Sequence, residues 1–100
     1  MAAAHHMTAL GFYADGLELD RRLAELMPDS PGVLYNLACS LALTNRQEEA
    51  LEILAKAIKA GYGDHVHMRR DSDLDALRPY PLFHALLAMA EKSAGKELEP

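Results

Sequence analysis

Three short stretches hold the residues that could do chemistry. Asp71-Ser72-Asp73-Leu74-Asp75 sets carboxylates at alternate positions, as the opening of a calcium-binding loop does. The rest of such a loop is missing. Ala76 stands where a glycine must turn the chain, and Leu82 where a bidentate glutamate must close the shell. The simpler use of this stretch is capping, in which Asp71, Ser72 or Asp73 offers a side-chain oxygen to the free N–H groups of a short helix. Asp64-His65-x-His67 supplies two imidazoles beside a carboxylate. Zinc needs three or four ligands, and no cysteine lies nearby in sequence. His84 reads as a boundary residue, and Met68 as a packed side chain whose neighbour His67 stays wet. No metal and no cofactor is expected.

Cys39 is the single cysteine, set in mid-helix among leucines with no cation nearby in sequence, so nothing there lowers a thiol pKa. Arg69-Arg70, with Arg78, is the one basic cluster. It could grip a carboxylate, or it could face solvent and answer Asp71, Asp73 and Asp75. The sequence contains no Ser/His/Asp spacing, no glycine-rich phosphate loop and no paired-carboxylate cleft. An enzyme is not expected.

The elements that must position these residues are helical. Half of the 100 residues are hydrophobic and a quarter charged, the balance of a globular chain. Leucine and alanine carry the apolar content and β-branched residues are few, so the expected class is all-α. Lys plus Arg is 10 against 15 for Asp plus Glu, a net charge of −5, which argues against nucleic acid and against a polybasic membrane anchor. No run approaches the roughly 20 apolar residues that span a bilayer. Without a basic, apolar leader no secretory signal is expected, and a cytoplasmic setting follows. Residues 1–7, with His5-His6, read as a tag scar or disordered N-terminus; residues 8–94 form one domain and 95–100 a frayed tail.

About five helices can be read from period and punctuation. The first runs from about Leu10 or Asp15 to Met27, and Pro28-Asp29-Ser30-Pro31-Gly32 is a turn. The second covers Val33 to Thr44, with Asn45 taking the left-handed backbone that ends it. The third covers Gln47 to Ala60. Gly61–Asp64 is a turn, and short helical pieces follow near His65–Arg70 and Asp73–Leu77. A last helix starts at Pro81 and ends near Ser93, capped by Gly95.

The second and third helices form a hairpin of 34 residues, Pro31 to Asp64. Leu34-x2-Leu37-Ala38-x2-Leu41, then Ala50-x3-Leu54, then Ala57, resembles the tetratricopeptide repeat in length, order and spacing. Two positions depart from it: Leu34 replaces a common bulky aromatic and Tyr62 the usual closing proline. Leu17 to Ser30 resembles the second helix of a preceding repeat. Asp71-x-Asp73-Leu74-x2-Leu77 with Pro81-x-Phe83-x2-Leu86-Leu87 is similar to a terminating segment of bacterial repeat proteins. The resemblance implies a fragment of a right-handed helical superhelix and a protein–protein interaction scaffold or adaptor.

The second helix is apolar on more than its hairpin side: Tyr35, Cys39, Ala42 and Leu43 add a further face, with Asn36, Ser40 and Thr44 as a narrow polar line. Such a helix is normally covered on both sides. Under the resemblance its second face lines a groove for a peptide or protein segment. Tyr35, Asn36, Cys39 and Leu43 would then touch the partner, assisted by Arg69 and Arg70. Alternatively the first helix, the terminal segment or a second subunit covers that surface. Asn36 and Arg70 match positions of the clamp by which some members hold chaperone carboxylate tails. The other basic residues of that clamp are missing, with Val66 at one position, so that ligand is not expected. Two further readings are homotypic assembly, since about three stacked repeats are usually needed for a continuous core, and an accessory subunit of an enzyme or regulator.

Overall fold

The computed structural model describes the backbone of residues 16–98 and the side chains of residues 16–93. The expected scar at 1–7, the start of the first helix near Leu10 or Asp15, and tail residues 99–100 lie outside that range. Among the described residues every regular element is helical. They are α1 over 16–26, α2 Pro31–Leu43, α3 Gln47–Lys59, α4 His65–Arg70, a 3-10 segment Ser72–Leu77, and α5 Pro81–Leu98. None of these helices is long and apolar enough to cross a membrane.

Two boundaries differ from the sequence expectation by more than one residue. Pro31 and Gly32 belong to α2 rather than to the preceding turn, because Ser30 caps the helix and accepts from the Val33 N–H. Pro31 then occupies the first helical position, where a missing N–H costs nothing. The last helix does not stop at Gly95; it continues to Leu98, so most of the expected frayed tail is helical. One glycine costs about 1 kcal/mol against alanine, and the helix-forming residues Lys96, Glu97 and Leu98 follow it.

The α2–α3 hairpin is set by its two ends. Asn45 has φ 62°, as its position predicts, and lets the Arg46 N–H reach back to the Leu41 carbonyl at 2.9 Å. At the end of α3, Gly61 takes φ 118°. The Tyr62 N–H then bonds the Ala57 carbonyl and the Gly61 N–H that of Ile58, the paired closure that a left-handed glycine permits. That closure turns the Tyr62 ring back towards α2.

Ala38, Ala50 and Ala57 are fully buried and let α2 and α3 approach closely, with Leu41 and Leu54 filling the space around them. Met68, Leu74, Leu77 and Phe83, also fully buried, bring α4, the 3-10 segment and α5 into the same continuous core. Each fully buried leucine contributes about 2 kcal/mol from area removed from water. α1 is tied on by polar contacts as well as by buried Leu17. Arg21 donates twice to Glu49 of α3, at 2.7 and 3.0 Å, and Ser40 of α2 donates to Asp20. The Arg21 guanidinium holds the Glu49 carboxyl below its ordinary range.

Candidate functional site

The second face of α2 is the floor of an open cavity of about 340 Å³. Tyr35, Asn36, Cys39, Ser40 and Leu43 line the floor. Asp20 of α1 stands on one side, with His67, Asp71 and Asp73 of α4 and the terminal 3-10 segment on the other. Four of the expected contact residues are therefore brought together. Arg69 and Arg70 are not among them. Arg69 donates to Glu91 of α5 at 2.6 Å, and Arg70 is exposed outside the lining. The basic pair had no local clue to Glu91, which lies 22 residues further along the chain.

The face is neither wholly open nor wholly covered. Tyr35 and Cys39 are buried, whereas Asn36 is exposed and Ser40 and Leu43 are half-buried. What covers the first pair is Asp71. It caps the 3-10 segment by accepting from the Asp73 N–H with Oδ1 at 3.0 Å. Its Oδ2 accepts from the Tyr35 hydroxyl at 2.6 Å and from the Cys39 thiol at 3.7 Å, and lies 3.1 Å from His67 Nε2. One carboxylate thus starts the 3-10 segment and docks it on α2.

The Tyr35 ring stacks on Tyr62 with centroids 4.2 Å apart and planes within 7°, and the His67 ring is tilted against Tyr35 at 5.7 Å. Burial, then the hydrogen bond to Asp71, pushes the Tyr35 phenol far above its ordinary value, and burial lifts Tyr62 to about 12. Burial also raises the Cys39 thiol, and the negative charges of Asp71 and Asp73 add to it. Cys39 is a hydrogen-bond donor held protonated, unsuited to nucleophilic attack. Asp73 is raised as well, by burial first and by Asp71 second.

Donor atoms of Cys39, Asp71 and Asp73 lie within 4.8 Å of one another, so these side chains could contribute ligands to a cation. Sequence reasoning missed that juxtaposition because 32 residues separate Cys39 from Asp71. The expected wet His67 beside a packed Met68 is present: Met68 is fully buried and the His67 side chain is 55% exposed. His84 is exposed and bonds the Arg78 carbonyl from Nε2 at 2.8 Å.

The comparisons with known proteins bear on part of the chain. No family model matches it, and no solved structure matches it. Over 59 residues, 59% of the chain, it is 37% identical to a chloroplastic protein of Arabidopsis thaliana. The chain spans 18% of that relative's length, so the similarity is to a segment of a much longer protein.

Proposed function

We propose that the chain is a non-enzymatic protein–protein interaction module of the tetratricopeptide repeat type, holding a peptide segment in the cavity along α2. The supporting observation is that cavity itself. Between α1 and the terminal segment, Asn36, Ser40 and Leu43 stay accessible on a helix that buries seven of its residues. Asn36 offers a donor pair and an acceptor to a peptide backbone, and Leu43 gives apolar contact. The proposed setting is the cytoplasm of a bacterial cell, where a lone buried cysteine remains a thiol.

The residue to change is Asn36, because Tyr35 is buried against Tyr62 and Asp71 and its loss would disturb the fold. The wild-type chain and Asn36→Arg, both checked by circular dichroism, are used to select from a randomised peptide library. Peptides retained by the wild type and lost by the variant support the reading. Equal retention by both contradicts it.

A second reading is homotypic assembly through α1. Leu19 and Leu26, seven residues apart on one side of the helix, are 58% and 77% exposed, and Met27 follows at 44%. A light-scattering mass of two chains that Leu26→Glu returns to one supports this reading; a single-chain mass for the wild type counts against it.

A further inference from the structure

Among the described residues the groove is lined by more acidic than basic side chains. Asp20, Asp71 and Asp73 line it, and His67 is the one basic side chain among the described lining residues. Asp71 is satisfied by Tyr35, Cys39, His67 and the Asp73 N–H. The Asp73 carboxylate receives no hydrogen bond from any described residue, although it is half-buried beside Asp71. Arg70 is exposed outside the lining, and three further arginines are engaged elsewhere. Arg21 holds Glu49, Arg69 holds Glu91, and Arg78 holds Asp75 and the Asp71 carbonyl.

Resting on the interaction-module reading, we propose that the groove selects a peptide carrying a lysine or arginine, whose cationic head sits between Asp73 and Asp20. The half-buried Leu43 receives the methylene stem, as such side chains bury their stems while keeping the head hydrogen-bonded. Asn36 holds the neighbouring peptide backbone. The chain's net charge of −5 draws basic segments from a distance and repels acidic ones. This preference is the reverse of a carboxylate clamp, and Arg69 and Arg70 have no part in it. The alternative occupant, a divalent cation on Cys39, Asp71 and Asp73, would require the buried thiol to lose its proton.

The test is selection from a randomised octapeptide library by the wild-type chain, Asp73→Asn, Asp20→Asn and Asn36→Arg, with and without a chelator. Asparagine keeps an acceptor for Ser40 in Asp20→Asn, and circular dichroism confirms that each variant is folded. The expected result is a fixed lysine or arginine in the enriched peptides. Affinity for a synthetic enriched peptide falls about tenfold in Asp73→Asn and again with added salt, as for a partly exposed charge pair. Enriched peptides without a basic position, yet still lost by Asn36→Arg, overturn the cation preference and leave the groove intact. Enrichment abolished by the chelator overturns it in favour of a metal ion. Peptides retained equally by all four proteins overturn both the preference and the groove.

Discussion

α2 and α3 are neighbouring helices of 13 residues each, and they are built differently. α3 buries a single stripe, Ala50, Leu51, Leu54, Ala57 and Ile58, and keeps a charged outer face with Glu48 and Glu49 first and Lys56 and Lys59 last. α2 buries seven residues around most of its circumference and carries no charged side chain. α3 packs mainly on α2, touches α5 and the 3-10 segment, takes the Arg21 ion pair from α1, and turns its charged outer face to water. α2 is a middle helix, packed by α3 on one face and partly covered on the other by hydrogen-bonding groups. The proposed site lies on that second face, where polar side chains partly cover an apolar surface and leave an open cavity.

Removing a core leucine should have the largest effect and should not distinguish the two helices. Leu41→Ala and Leu54→Ala are both expected to cost about 2–5 kcal/mol in denaturant unfolding. Similar losses would show that the helices share one core. A loss confined to Leu54→Ala would mean that α2 is not packed as described.

The second face is expected to contribute less, through one hydrogen bond. Tyr35→Phe leaves Asp71 without its phenol donor and should cost about 1–3 kcal/mol at neutral pH. Because the folded-state phenol is raised, its contribution is complete below the unfolded value near 10 and is lost as pH rises further. The gap between wild type and Tyr35→Phe should therefore narrow in alkaline denaturation series. A gap that widened above pH ~10 would contradict a protonated, Asp71-bound Tyr35.

The smallest differences lie at the helix starts. Ser30 caps α2, whereas Arg46 gives α3 no side-chain cap. Ser30→Ala should destabilise by about 1 kcal/mol, and Arg46→Ser should stabilise by up to about 1 kcal/mol. Thermal midpoints moving in opposite directions would sharpen the contrast between the two helices; a stabilising Ser30→Ala would break it.

The hairpin was legible in the sequence because its determinants are local. Alanines at helical spacing mark the contact, and Asn45 and Gly61 mark the two reversals. α1 and the terminal segment were legible in outline, and Asp71 was among the residues expected to cap the 3-10 segment. What Asp71 does beyond capping was hidden, since its bond to Tyr35 spans 36 residues and has no local signature. The stack of Tyr35 on Tyr62 was hidden for the same reason, although a turn at Gly61–Asp64 was expected. Arg69 and Arg70 were grouped with the groove as part of the one basic cluster in the sequence, able to grip a carboxylate. In space α4 sends Arg69 to α5 instead.

The most direct test of the account is amide chemical-shift mapping on the isotope-labelled chain, titrated with an enriched lysine- or arginine-bearing peptide. The account predicts saturable shifts at Asp20, Asn36, Ser40, Leu43 and Asp73, on both sides of one groove, with Glu48, Glu52 and Lys56 on the outer face of α3 unmoved. Shifts gathered on α3 or on the outer face of α5, with Asn36 and Asp73 silent, would contradict it.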